Sequence, residues 1–407
     1  MPGRLPDGEP VPPDGALPAG PPWSPATPFG VYVHVPFCAS RCGYCDFNTY
    51  TAAEASREGY LVAVRGELAL AARVLEHRGP PERVDTVFVG GGTPTLLPTD
   101  DLARILDAID ATWGLAPDAE VTTEANPESV DPAVLRRLRA AGYNRISLGM
   151  QSAARHVLAV LDRRHTPGRA VAAAAEARAA GFAHLNLDLI YGTPAERAED
   201  FAASLAAVIE AGVDHVSAYA LTLEDGTALA ARVRRGELPA LDDDVAADRY
   251  VAAEQVLSGA GFGWYEVSNW AAGSGAACRH NLGYWRGDDW WGLGPGAHSH
   301  VGGTRWWNVK HPAQYASRVS AGRSPGAARE VLTAEQRWLE EVMLRLRLAE
   351  GLPLARLGGQ ASAAVAGSVA GGLLSPDAYA DGRAVLTLRG RLLADAVVRE
   401  LVSVTVT

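Results

Sequence analysis

Six short apolar runs alternate with helical stretches from Phe29 onward, and no other feature of the chain restricts its fold as strongly. The runs are 31–35 (VYVHV), 85–89 (DTVFV), 120–124 (EVTTE), 145–149 (RISLG), 184–190 (HLNLDLI) and 215–220 (HVSAYA). Apolar periodicity places helices near 53–77, 100–112, 131–141, 153–180 and 198–211. Asp100 and Asp131 suit N-caps, and Gly142, Gly181 and Gly212 suit the position just after a helix. Strand alternating with helix predicts a parallel sheet wound by right-handed crossovers.

Such a sheet is either doubly wound or a partial (β/α)6 TIM-like barrel. Polar residues favour the barrel, because each strand ends in a polar or glycine cluster. A cysteine loop follows the first strand and GGGTPT the second. Glu124, Gln151, Asp188 and Thr222 mark the other four. Barrel sites gather at the C-terminal ends of strands, where six such clusters converge.

The flanks differ in character. Residues 1–28 hold ten of the 26 prolines and predict a disordered tail. The barrel is assigned to 29–225. Residues 226–325 form an aromatic-rich α+β extension, with seven of the ten tryptophans between Trp264 and Trp307. Residues 326–407 read as a winged-helix-like domain. It opens with a Thr333/Gln336 capping box ahead of an amphipathic helix carrying Trp338, Leu339, Val342, Met343 and Leu346. A hairpin-like stretch at 385–393 and a last helix from Ala394 complete it.

Charge and cysteine usage exclude several functions. The chain carries 37 Lys+Arg against 47 Asp+Glu, a net charge of -10, and Lys310 is its one lysine. Lysine-nucleophile chemistry therefore has a single candidate. An acidic chain without a basic block is a poor nucleic-acid binder, so the C-terminal domain reads as a lid or docking surface. Four cysteines among 407 residues do not make a disulfide framework. No leader or spanning segment is legible, which predicts a cytoplasmic protein with reduced thiols.

Three of those cysteines fall within eight residues, as Cys38-x3-Cys42-x2-Cys45. Three thiolates on one loop suit a soft metal or cluster. A structural zinc site wants a fourth protein ligand, and no second cysteine pair is present. A [4Fe–4S] cluster with three protein ligands and one open iron matches the count better.

This spacing is the signature of the radical S-adenosylmethionine (SAM) superfamily. The stretch YVHVPFCASRCGYCDFNTY (32–50) resembles its coproporphyrinogen dehydrogenase-like branch. GGGTPT (90–95), TTEANPES (122–129), SLGMQS (147–152), LDRRHTP (161–167) and NLDLIYGTP (186–194) resemble further blocks in the same order. The resemblance implies that Cys38, Cys42 and Cys45 hold the cluster and that its open iron chelates SAM. It implies SAM contacts for Tyr32, Gly91, Gly92, Thr93, Glu124, Gln151, Arg163 and Asp188. Thr222, after the sixth strand, is grouped with them.

Two details separate the branches. Oxygen-independent coproporphyrinogen oxidases carry a further cysteine two residues after the third, where this chain has Phe47. RHNLGYW (279–285) is similar to the HNxxYW motif of the HemW-type haem chaperones. That similarity implies His280 as a haem-site residue, with Trp285, Trp290 and Trp291 as candidate walls. Cys278 reads as a bystander thiol, with a haem-thiolate role as the alternative. His298 and His300 form an H-x-H pair read as architecture near the site.

The expected function is a cluster- and SAM-binding chaperone that delivers haem to haem-requiring proteins, respiratory ones foremost. The expected partners are haem and those acceptors, with an unnamed electron donor and peripheral contact with the inner membrane face. A coproporphyrinogen oxidase or other radical SAM enzyme is the alternative, and a zinc-stabilised barrel the third reading.

Overall fold

The structure, a computed structural model, describes all residues except 1–6, 19–26, 53, 54, 56, 164, 165, 274, 359, 360 and 404–407. The expected tail at 1–6 and 19–26, the start of the first helix at 53 and two residues of the LDRRHTP block lie outside the described residues.

The six expected strands form, most of them longer than their apolar runs. They are β1 (Phe29–Val35), β2 (Val84–Gly91), β3 (Leu115–Ala125), β4 (Arg145–Gln151), β5 (His184–Tyr191) and β6 (His215–Ala220). Each pairs in parallel with the next in sequence. A doubly wound sheet would reverse its strand order at a switch point. This sheet runs 1-2-3-4-5-6 without reversal, as a partial barrel does. Between the strands lie α1 (Tyr60–Glu76), α2 (Thr99–Trp113), α3 (Pro132–Ala140), α4 (Arg155–Val160), α5 (Arg169–Ala179) and α6 (Ala198–Glu210).

Alternation along the strands divides the two faces. Val31, Val33, Val35, Val87, Val89, Ile146, Leu148, Leu185, Leu187 and Val216 are fully buried in the main core with residues of the covering helices. The residues between them carry the polar groups of the other face. Asp131 caps α3 as expected, accepting from the N–H of Ala133 and Val134 at 2.8 Å each. Gly142, Gly181 and Gly212 take positive φ after their helices, as expected.

Three local expectations fail. Asp100 is no cap, because α2 starts at Thr99 and Asp100 lies in its first turn. The helix expected over 153–180 is two helices, α4 and α5, because Pro167 and Gly168 interrupt it. The tail is not disordered over residues 7–18. Glu9 pairs with Arg329 in both directions, at 2.8 and 2.9 Å, and Ser324 N–H donates to the Pro13 carbonyl at 2.7 Å. Val11 and Leu17 pack on the main core. Proline removes donors, but enough carbonyls and N–H groups remain to pair with an exposed strand edge.

Residues beyond β6 extend the sheet at both edges. After α7 (Ala228–Arg234) and α8 (Asp243–Gly259) come β7 (Gly263–Glu266) and β8 (Asn269–Ala271), and β8 pairs antiparallel with β6. Helix α9 (Arg279–Arg286) then leads to β9 (Asp289–Leu293), which pairs in parallel with β1. β10 (His298–Val301), β11 (Thr304–Asn308) and, after α10 (Pro312–Ser320), β12 (Gly326–Val331) complete one edge. Trp270, Trp291 and Trp306 belong to the same core as the barrel strands.

The C-terminal part has its own apolar core, including Val342, Leu346, Leu374 and Val397. Its helices are α11 (Ala334–Arg345), α12 (Ser362–Ala370), α13 (Pro376–Ala380), α14 (Leu388–Leu392) and α15 (Ala394–Ser403). The Thr333/Gln336 capping box forms. Of the expected α11 stripe, Val342 is buried, whereas Leu339 and Met343 are each 39% exposed. The expected hairpin at 385–393 does not form. Thr387 instead caps α14, and the two-stranded ribbon is β13 (Leu352–Pro353) with β14 (Arg383–Ala384).

Candidate functional site

The cysteine loop leaves β1 and is closed by its own backbone. Cys38 N–H donates to the Tyr50 carbonyl at 2.9 Å, and Tyr50 N–H donates to that of Pro36 at 2.7 Å. Cys38, Cys42 and Cys45 are free thiols of intermediate exposure. Burial pushes the Cys45 thiol up to about 11 and raises that of Cys38. Neutral thiols bind no metal, so loading must release protons. Arg163 Nη1 lies 3.7 Å from Cys42 Sγ, and Nη2 donates to the Gly149 carbonyl at 3.0 Å. Among the described residues its Nε is buried without a partner. Phe47, where the oxidases carry their further cysteine, is 61% exposed.

The glycine segment at the end of β2 lies against this loop. Gly92 N–H donates to the Val35 carbonyl and Thr93 N–H to that of Phe37, both at 2.8 Å. Gly91 N–H donates to Glu124 Oε2 at 2.9 Å. These N–H groups are therefore committed to the protein itself. A Cβ on Gly92 would lie 2.5 Å from the Phe37 carbonyl oxygen and 3.0 Å from Cys38 Sγ. The segment approaches the thiols closely because it carries no side chain there.

Inside the barrel, strand register stacks polar residues in layers. Gly30, Thr86 and Glu120 lie side by side lowest. Tyr32, Phe88, Thr122 and Arg145 follow, then Glu124, Ser147, Asn186 and His215. They enclose a cavity of about 140 Å³. Asp188 accepts from Ser147 Oγ at 2.9 Å and Asn186 Nδ2 at 2.8 Å. Burial, with Asp188 nearby, pushes the Glu124 carboxyl up to about 8, and burial also raises Asp188. Glu124 therefore holds its proton at neutral pH until a cation arrives. Tyr32 OH lies 2.9 Å from His34 Nδ1, and burial raises its phenol strongly.

The structure therefore brings Tyr32, Glu124 and Asp188 into one cavity, tied through Glu124 to Gly91, while Arg163 lies against Cys42 and Gly92 against Cys38. Gln151 sits at the end of β4 with φ 65°. Thr222 is exposed beyond β6 and does not line the cavity.

Helix α9 closes the cavity's lower end. His280 is 4% exposed, and its ring stacks on Phe88 with centroids 5.3 Å apart. Its Nδ1 lies 2.7 Å from Thr86 Oγ1 and its Nε2 2.8 Å from Tyr284 OH. Both ring nitrogens are thus occupied. Burial pushes the imidazole down to about 4, so it stays neutral near pH 7. Glu120 pins α9 from below, accepting from the N–H of Arg279 and His280 at 3.0 Å each. A second cavity of about 170 Å³, lined by Thr86, Arg279, Arg286 and Trp290, lies on the far side of His280 and Tyr284. Those two side chains line both cavities and form the wall between them.

The neighbouring candidates divide. Trp290 lines the second cavity, whereas Trp291 packs in the core edge-on to Trp306. Trp285 lines neither cavity. Cys278 is buried, lines the first cavity, donates to Glu120 Oε1 at 3.3 Å and has its thiol pushed up by burial. His298 stacks on Trp307, while His300 turns to the Asp288 carbonyl at 3.1 Å. Sequence reasoning did not single out Thr86, Glu120, Arg145 or Asn186. The alternation of HLNLDLI, with Asn186 and Asp188 two apart, is the signal that marks this inner face.

Comparison with known proteins follows the same lines. Residues 32–208 match the family model described as the radical SAM superfamily, and 332–393 match the HemN C-terminal domain. Heme chaperone HemW of Mycobacterium tuberculosis (strain H37Rv) is 58% identical over 380 residues, which is 93% of this chain and 95% of that protein. The chain belongs to the HemW family. HemW of Escherichia coli K12 is 36% identical over 80% of this chain and 84% of its own length. A mouse mitochondrial radical S-adenosyl methionine domain-containing protein 1 is 42% identical over 68% of this chain and 62% of its own. The fold matches E. coli coproporphyrinogen III oxidase (HemN) with a TM-score of 0.77, at 24% identity, covering 93% of this chain and 91% of that one. Radical SAM membership brings a [4Fe–4S] cluster and SAM with it. Three thiols without a fourth, beside a glycine cradle a Cβ would fill, fit such a cluster. Among the described residues no helix is long and apolar enough to cross a membrane.

Proposed function

We propose that this HemW-family chain is a haem chaperone: it holds a [4Fe–4S] cluster and SAM, binds haem and passes it to haem-requiring proteins. The observation that carries the reading is near-full-length identity of 58% to a protein named heme chaperone HemW. The chain's HNLGYW stretch forming the floor of the barrel supports it.

Cys38, Cys42 and Cys45 hold the cluster, which when bound supplies an iron open to the amino and carboxylate groups of SAM. Arg163, with an unpartnered Nε, faces that carboxylate. Gly91, Gly92 and Thr93 give the ligand close passage along their backbone, and Gln151 at the end of β4 borders it. Tyr32, Glu124 and Asp188 receive the adenosine and sulfonium end, whose positive charge favours ionisation of the two acids.

His280 is the haem residue. Its ring is neutral, as an iron ligand must be, and Tyr284 and Thr86 hold its orientation in the resting state. Ligation requires one of those bonds to open. The acceptor proteins are haem-requiring enzymes, respiratory ones foremost, met in the cytoplasm or at the inner membrane face.

Haem titration of wild type and His280→Ala, each with and without a reconstituted cluster, tests the reading. Wild type should bind haem and load an apo-haemoprotein, and His280→Ala should do neither. Equal behaviour of the two would remove His280 from the site. Decarboxylation of coproporphyrinogen III by the reconstituted protein would overturn the chaperone reading.

A further inference from the structure

We propose that the floor of the barrel cavity is a carboxylate-binding site, built by Arg145 and Thr122. The two residues are direct register partners on β4 and β3, so their side chains emerge next to each other on the inner face. Arg145 is 2% exposed and Thr122 1%. Arg145 Nε donates to Glu120 Oε2 at 3.0 Å, and Nη2 donates to the carbonyls of Ala276 and Ala277 at 2.6 and 3.2 Å. Among the described residues Nη1 has no partner, and neither has Thr122 Oγ1. Both residues line the cavity of about 140 Å³.

Buried donors left unmade are costly, and two on register-paired residues that line one cavity call for a shared acceptor. The space far exceeds the ~10–15 Å³ that one water needs. Geometry selects the ligand. Nη1 is the donor that Arg145 has left among the described residues. Glu120 accepts from Arg145 Nε as an ion pair at 3.0 Å. It also accepts from two N–H groups at the start of α9 and from the Cys278 thiol. Although burial opposes its ionisation, Arg145 and those N–H groups hold its carboxyl below the usual range. Among the described residues Arg145 is the one cavity-lining residue with a permanent positive charge. The other floor groups are already engaged, His215 with Asn186 and Tyr265, and Asn186 with Asp188 and Ser217. One guanidinium nitrogen and one hydroxyl match a single carboxylate. A dianion such as phosphate would find too few donors.

The carboxylate has two sources: a haem propionate or a small free acid. Only the haem source rests on the chaperone reading. Equilibrium dialysis with labelled propionate, and parallel titrations with haem and haem dimethyl ester, separate them. Wild type should take up propionate saturably, or prefer haem to its ester. Thr122→Val removes one donor with little change in volume and should weaken that uptake or preference roughly three- to tenfold. Arg145→Gln should abolish it, its fold checked by circular dichroism. A preference for haem over its ester assigns the site to a haem propionate. Propionate uptake with equal binding of haem and ester assigns it to a free acid. No saturable propionate uptake together with equal binding of haem and ester by wild type overturns the proposal. Absence of any haem binding would fail the chaperone reading, and the propionate dialysis would still decide this one.

Discussion

His280 Nε2 and the Tyr284 hydroxyl lie 2.8 Å apart, one turn from each other along α9. Their spacing of four residues brings them onto the same helix face. The bond occupies the nitrogen that points along the wall between the two cavities, so it acts as a latch on the imidazole. Tyr284→Phe keeps the ring and removes the latch. Stopped-flow haem binding should be faster for Tyr284→Phe than for wild type, roughly three- to tenfold if one neutral hydrogen bond is lost. An unchanged or slower rate would place haem ligation elsewhere.

Gly30 leaves room for the same ring. A Cβ there would lie 3.2 Å from His280 Nδ1 and 3.0 Å from Thr86 Oγ1. Gly30→Ala should lower stability by about 1–3 kcal/mol through overpacking and weaken haem binding together with it. Denaturant unfolding and haem titration of the same samples check both effects.

Glu67 predicts how stability depends on pH. It is fully buried, accepting from Gly294 N–H at 2.8 Å, Asn308 Nδ2 at 2.7 Å and the Tyr315 hydroxyl. Burial pushes its carboxyl up to about 7, so the folded state holds this proton more tightly than the unfolded chain does. The linked stability is complete below the ordinary carboxylate range and is lost as pH rises through about 7. Glu124, raised to about 8, acts in the same direction. Wild type should lose melting temperature between pH 6 and pH 8.5. Glu67→Gln, which has no proton to lose, should lose less over that interval. Parallel slopes would contradict the assignment.

Gly92→Ala tests the cradle beside the thiols. The added Cβ meets the Phe37 carbonyl and Cys38 Sγ, a backbone atom and a proposed cluster ligand. Anaerobic reconstitution should give the variant less than half the iron and sulfide of wild type, with the far-ultraviolet spectrum retained. Full loading would show that the loop can move aside at little cost.

Strand positions were legible because valine and leucine alternate with polar residues along short runs, the apolar set packing under the helices. The cysteine loop was legible because its spacing is short and local. What escaped depends on register. Thr122 meets Arg145, and Thr86 meets Glu120, only once β2, β3 and β4 align. Nothing within one strand reveals its neighbour's offset. His280 lies far from Thr86 in sequence, and its hydrogen bond required the path of α9 to be known. The break between α4 and α5 was readable from Pro167 and Gly168, but the alanine-rich pattern on either side obscured it. The N-terminal segment misled because its composition resembles a disordered tail, while its pairing depends on an edge formed by β12.

β9 pairs in parallel with β1, Phe29 lying against Asp289. One edge strand of the barrel thus waits for a partner more than half the chain away. During synthesis β1 to β6 leave the ribosome with that edge bare, and only the later arrival of β9 covers it. Contacts of such sequence separation make folding slow and leave an unpaired strand open to association with other chains. The same pairing makes truncation before β9 hazardous: a fragment ending at β6 would keep its cysteine loop but expose the edge from which that loop springs.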